Sequence, residues 1–235
     1  MLDSQRFEKA EQEGKTQLTE IEAKELLRKA GIPVIETKLA GTKKEAMSIS
    51  RRMGFPVVLK IASPDIIHKS DSGGVKLQLM NVTQVSNAYS EIMSSIRRSF
   101  PGVRVEGIAV QKMARPALEV IIGMTKDAQF GPVLMFGLGG IFVEVLKDVS
   151  FRITPVTKKD AGEMIREIKG YSLLHGYRAQ ESVNISSLEQ IIVKVSELVE
   201  RNTQIKELDI NPIFAYRDGV IAVDARVILE ASTNV

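Results

Sequence analysis

The sequence predicts an α/β (α+β) fold of two lobes, and three observations point to it. Helix starts are marked by Ser or Thr followed three residues later by Glu or Asp. Short β-branched runs fall between those helices. The alternation of the two then changes near residue 100, where Pro101 and Gly102 interrupt it.

The first residues, MLDSQRFEKAEQEGK, are charged throughout and hold no apolar stretch. Residues 1–17 therefore read as an N-terminal arm, without a secretion signal. Thr19–Glu22 and Thr42–Glu45 have capping-box spacing, and their helices end on Gly31 and Gly54, as a left-handed C-terminal residue requires. Between 82 and 98, Val85, Ala88, Tyr89, Ile92, Met93 and Ile96 form one apolar stripe of helical period. Ser186–Glu189 repeats the capping signal, and Thr157–Asp160 is a looser form of it. Strands are expected at Val57–Leu59, Val75–Leu79, Ile108–Val110, Val120–Ile122, Val133–Phe136 and Ile221–Val223, with a hairpin around Ser72-Gly73-Gly74. The seam between Ser99 and Gly107 places the first lobe at 18–105 and the second at 106–235.

Composition narrows the function. The 235 residues are 44% hydrophobic and 26% charged, ordinary for a globular chain able to bury a core. No apolar run approaches the roughly 20 residues that span a bilayer, so no membrane role is expected. Cysteine is absent, which excludes disulfides and thiolate metal sites and suits the cytoplasm. The net charge is only +3, with basic and acidic residues interleaved, and makes no case for nucleic acid.

The usual phosphate loops are missing: there is no GxxxxGK[ST] and no GxGxxG opening a helix. Gly137-Leu138-Gly139-Gly140 is followed by Ile141 to Val145, which reads as a strand, so a turn between strands fits better than a dinucleotide loop. More informative is Ser63 to Val75, which sets His68-Lys69-Ser70-Asp71-Ser72-Gly73-Gly74 between two apolar strands. Glycines without side chains let backbone N–H groups approach an anion, yet local composition alone favours an ordinary hairpin with a solvated shoulder. Near the C-terminus, Asp209-Ile210-Asn211-Pro212 precedes the turn signal Asp218-Gly219 and then Asp224. Alternation puts Asp209 and Asn211 on one strand face, with Asp224 able to lie opposite. Oxygen ligands converging in this way suit Mg²⁺; two edge strands with solvated polar faces are the plain alternative.

Four segments, TEIEAKELLRKAGIPV (19–34), FPVVLKIASPDIIHKSDSGGVKL (55–77), GPVLMFGLGGIFVEVLKDVSFRITP (131–155) and ELDINPI (207–213), together resemble the ATP-grasp β subunit of ADP-forming acetyl-CoA synthetases. These are nucleoside-diphosphate-forming acyl-CoA synthetases related to succinyl-CoA synthetase, and HKSDSGGV separates the two groups. The resemblance runs from Leu18 to about Glu230. It implies an ATP-grasp fold with the nucleotide between its lobes, and Mg²⁺ and ADP/ATP as cofactors. It implies that Lys60 holds the phosphates, Gly73 and Gly74 cover them, and Gln111, Lys112 and Met113 form the hinge receiving adenine. Glu119 would face the ribose or phosphates, and Asn211 and Asp224 would hold Mg²⁺. His68 would relay phosphate, and Asp209 would steady a phosphohistidine presented by a partner. The family's GYRG is departed from at Gly176-Tyr177-Arg178-Ala179.

No CoA-binding Rossmann segment is visible. The resemblance therefore implies a CoA-binding α subunit carrying a phosphohistidine loop, in an α2β2 assembly that interconverts acyl-CoA, ADP and phosphate with acid, CoA and ATP. Two other functions fit the same motifs: a non-catalytic ATP-grasp module regulating a partner such as an acetyltransferase, and a stand-alone ATP-grasp carboxylate ligase.

Overall fold

A computed structural model describes residues 15–66, 72–140, 142–176 and 181–230. The chain divides into two compact units, one made of Ile35–Arg115 and the other of the residues up to Val34 together with those from Pro116.

The continuous unit is built on four antiparallel strands, β2 (Thr37–Ala40), β3 (Val57–Ala62), β4 (Val75–Leu79) and β5 (Gly107–Lys112), in the order β2-β5-β3-β4. Two helices, α2 (Lys43–Met53) and α3 (Val82–Ser99), cover one face. Alternation decides which side chains they cover. Val57, Leu59, Ile61, Ile108 and Val110 face the helices and meet Ala46, Ile49, Val85, Ala88, Ile92 and Ile96. The expected apolar stripe is thus the buried face of α3, with Tyr89 and Met93 at its margin. Thr42 starts α2 through the expected reciprocal cap with Glu45, and Gly54 ends it at φ +79°, where a side chain would be strained.

The second unit holds a seven-stranded antiparallel sheet in the order β1-β11-β9-β6-β7-β8, with β10 also on β9. Its strands are β1 (Gln17–Leu18), β6 (Leu118–Asp127), β7 (Gly131–Leu138), β8 (Val149–Ile153), β9 (Ile205–Tyr216), β10 (Gly219–Ala222) and β11 (Arg226–Leu229). Helices α1 (Glu20–Lys29), α4 (Lys158–Glu167), α5 (Tyr171–Leu174) and α6 (Ile185–Arg201) belong to this unit. Its core joins Leu26, Leu27, Met164, Ile192 and Val195 to Val120, Ile122, Phe136, Leu208, Ile210 and Val227 from the strands. Among the described residues no helix is long and apolar enough to cross a membrane.

Several sequence expectations are corrected here. The boundary expected at 105/106 lies ten residues later, because β5 is a central strand of the smaller sheet, paired with both β2 and β3. Residues 18–34 do not belong to that unit. Gln17 and Leu18 pair with Ile228 and Val227, Ala222 N–H donates to Pro33, and Leu26, Leu27 and Ile32 enter the larger core. The arm expected over 1–17 is in the sheet by Gln17, while 1–14 lie outside the described residues. The strand expected after Gly140 is instead a π-helical turn, Phe142–Leu146. Helix α6 is capped by Asn184, whose side chain accepts the Ser187 N–H, so Ser186 lies inside the helix. Strand β2 (TKLA) carries no strong β-branched signal and owes its existence to pairing, whereas β8 (VSFRI) and β11 (RVIL) do hold β-branched residues and are not among the expected strands.

Candidate functional site

In the smaller unit, strand parity separates the predicted residues. Lys60 pairs opposite Ala109 and Val58 opposite Gln111. Since Leu59 and Val110 face the helices, Lys60 and Gln111 share the other sheet face as diagonal neighbours. Both are buried, Lys60 to 7% exposure and Gln111 to 2%. An ammonium and an amide therefore stand together on a face free of covering helices within this unit.

Lys112 points the other way. Its Nζ donates to the carbonyl of Met53 at 2.8 Å, closing the C-terminal end of α2. Its backbone N–H donates to Glu36, and that of Met113 to Pro56. Hinge recognition of an adenine would consequently run through carbonyl oxygens rather than these N–H groups. Gly73 lies at φ +68°, and a Cβ there would stand 3.1 Å from Ser95 Oγ, which donates to the Ser72 carbonyl. Gly74 accepts from the Ile61 N–H. The glycine pair is thus anchored to α3 and β3. A cavity of about 450 Å³ that reaches Gly73, Lys76, Ser94 and Arg98 is on the helix side of the sheet, away from Lys60. His68 lies outside the described residues, as does Arg178.

In the larger unit, four predicted residues fall on one sheet face. Leu208 and Ile210 are buried in the core, so Asp209 and Asn211 point to the opposite side. Between the pairs Ile122↔Ile210 and Val120↔Ile213, Asn211 and Pro212 together oppose the single residue Ile121. This is a β-bulge, a device that re-aims side chains and often lies beside functional sites. The pairs Ala222↔Ile213 and Arg226↔Asp209 keep one register, which places Asp224 opposite Asn211 on the adjoining segment. Glu119 pairs opposite Phe214 on the same face, and its carbonyl accepts the Gly139 N–H at 2.8 Å.

Burial pushes the Asp209 carboxyl up; Arg226 pulls it down and Asp224 pushes it up again, leaving it above the ordinary carboxylate value. The donor set of Asn211 and Asp224 is hard oxygen, suited to Mg²⁺ completed by phosphates and water. No group of three or more His, Cys, Asp or Glu that could hold a metal occurs among the described residues. A cation here would therefore depend on its ligand's oxygens.

Two residues were not singled out in the sequence. Asp148 is buried, and its two carboxylate oxygens accept the N–H groups of Lys169 and Gly170, both at 2.7 Å. It ties the β7–β8 connection to the turn before α5, and nothing local in LKDVS foretells this. Arg226 sits two residues beyond Asp224, and extending the alternation by one step along AVDARV would have found it.

The ATP-grasp domain model matches residues 9–229. The β subunit of the ADP-forming acetate–CoA ligase I of Pyrococcus furiosus is 54% identical over 95% of this chain and 96% of its own length. Acetyl-coenzyme A synthetase 1 of Ca. Korarchaeum cryptofilum, solved with coenzyme A, Ca-AMPCP and HgCl⁺, superposes with a TM-score of 0.94 at 46% identity, covering 96% of this chain and 99% of that one. The same enzyme with coenzyme A and Mg-AMPPCP, its phosphohistidine segment pointing towards the nucleotide site, superposes at 0.85 and 44% identity, over 95% and 98% of the two chains. The domain match over nearly the whole chain and the identity to these subunits show it: this chain belongs to the ATP-grasp family, among the β subunits of ADP-forming acetate–CoA ligases.

Proposed function

We propose that this chain is the nucleotide-binding subunit of an ADP-forming acyl-CoA (acetyl-CoA) synthetase, which makes ATP from ADP at the expense of an acyl-CoA. The single observation carrying this reading is the polar face of Asp209, Asn211 and Asp224, in a chain that matches an acetate–CoA ligase β subunit over 95% of its length. Lys60, on its strand face, would place one positive charge on the nucleotide phosphates. Gln111, Lys112 and Met113 would receive the adenine, Gly73 and Gly74 would cover the phosphates, and Glu119 would face the ribose.

Asn211 and Asp224 would hold Mg²⁺, which when bound neutralises charge on the phosphates. Asp209 would steady the incoming phosphohistidine, and His68 would accept the phosphoryl group in passing, since a neutral imidazole is both nucleophile and leaving group. The partner is a CoA-binding α subunit bearing a phosphohistidine loop, in an α2β2 complex. A chain without cysteine suits the cytoplasm.

The test is reconstitution. The isolated chain should bind Mg-ADP by calorimetry and show no acyl-CoA synthetase activity until the CoA-binding subunit is added. Full activity of the lone chain would overturn the two-subunit reading in favour of a stand-alone ligase. A complex that binds ADP but never turns over would favour a regulatory module. In the active complex, His68→Asn should keep ADP binding, abolish labelling of this chain by γ-phosphate-labelled ATP and stop synthesis. Turnover at the wild-type rate would remove the relay.

A further inference from the structure

On the sheet face that carries Asp209, Asn211 and Asp224, the strand register also places Glu119 and Glu207. Among the described strand residues of that face the cations are Arg226, directly opposite Asp209 on β11, and Lys206, exposed at the bulge between the Ile228↔Glu207 and Leu229↔Ile205 pairs. Val227, next to Arg226, is buried in the core, so the arginine must point to the polar side. Arg226 is half-buried. Its guanidinium forms no hydrogen bond or ion pair with the described residues, although it senses the Asp209 charge. A half-buried guanidinium held beside carboxylates without closing an ion pair is poised for an anion from outside the chain.

We propose that Arg226 is a catalytic residue that binds the phosphoryl group in transit between a phosphohistidine and ADP. This rests on the functional reading above. A phosphoryl dianion brought to this face would otherwise meet Asp209, Asp224 and Glu207 with only the exposed Lys206, beyond Glu207 along β9, to compensate. The guanidinium presents a planar fork matched to two phosphoryl oxygens. In the step it would serve, the N–P bond of the phosphohistidine breaks and a bond forms from phosphorus to a terminal oxygen of ADP. The imidazole nitrogen keeps the electron pair and takes a proton from solvent. Arg226 holds the equatorial oxygens while charge is spread over them. The side chain is within reach, because directly paired residues in an antiparallel sheet have Cβ atoms about 4.5–5.5 Å apart.

The experiment is a rapid-quench measurement of ATP formation when the phosphorylated CoA-binding subunit meets this chain and Mg-ADP, paired with calorimetric ADP affinity of the isolated chain. Arg226→Gln should slow single-turnover transfer by about 10²–10³-fold, the cost typical of removing one donor to developing charge, while ADP affinity stays within about twofold. Arg226→Lys should recover part of the rate, since it restores charge without the fork. Transfer in Arg226→Gln within about threefold of wild type would overturn the proposal. So would a loss of ADP affinity in step with the rate, which would assign Arg226 to the nucleotide's own phosphates. If Arg226→Gln fails to melt cooperatively, Arg226→Met decides: a folded but slow variant supports the role, and unfolding of both makes the residue structural. Failure of the wild-type chain to accept phosphate from the phosphorylated subunit would instead sink the underlying functional reading, a distinct result.

Discussion

Lys60 and Lys112 differ by little in sequence but face opposite sides of one sheet, and their expected responses to mutation differ accordingly. Lys60→Ala removes a buried charge from the face opposite the helices. A charge-assisted contact to phosphate is worth about 1.5–3 kcal/mol, so ADP affinity should fall roughly tenfold to a few hundredfold. Unchanged affinity in calorimetry would exclude Lys60 from the site. Lys112→Ala should cost stability rather than binding, because its ammonium closes α2 on the Met53 carbonyl. Asn211→Ala and Asp224→Ala remove the facing oxygens proposed to hold Mg²⁺. Each should raise the Mg²⁺ concentration needed for nucleotide binding by about tenfold or more, with metal-free nucleotide binding little changed. Magnesium titrations that overlay wild type would exclude both from the metal site.

At the scale of elements, the helix starts were the most legible feature because a cap is decided by residues three apart, with no help from elsewhere. Thr19, Thr42 and Thr157 all form reciprocal caps, with Glu22, Glu45 and Asp160. Around Glu22, burial pushes the carboxyl up. The Thr19 N–H and hydroxyl, with Lys15, outweigh that and hold it below its ordinary value of 4.5. A lowered carboxylate value means stability that is complete above the unfolded value and lost as pH falls through the folded one. Thr19→Ala should therefore lower unfolding free energy by about 0.5–2 kcal/mol near neutral pH, and the deficit should shrink below about pH 4. A deficit constant from pH 7 to 3 in urea melts would show that Glu22 contributes nothing through its charge. Strands were less legible than helices. β2 lacks a strong local signal and is held by its partner β5, and the extra residue of the bulge at Asn211-Pro212 appears only when β9 is set against β6.

The whole molecule divides differently from its apparent punctuation. Pro101-Gly102 interrupts the pattern but lies within one unit, because the chain passes through it to lay β5 between β2 and β3. Residues 35–115 expressed alone should therefore fold cooperatively, with a single urea transition by circular dichroism. A fragment ending at 105 should not fold, having lost its central strand. Equal folding of both fragments would show that β5 is dispensable and the boundary misplaced.

Local chemistry decided the helix limits, the strand parity that puts Asp209 and Asn211 on one face, and the glycine turns, since each depends on residues within a few positions. The HKSDSGGV and ELDINPI motifs identified the family for the same reason: a short stretch carries them whole. Three things required the folded chain. The alliance of residues 17–34 with the C-terminal sheet depends on β1 meeting β11 across some two hundred residues. The separation of Lys112 from Gln111 depends on which sheet face the helices cover. The placement of Arg226 beside Asp209 depends on the register of β11 against β9. Pairing between distant strands is a choice among many sterically equal partners, and it is made by burying both cores at once, which no window of sequence can report.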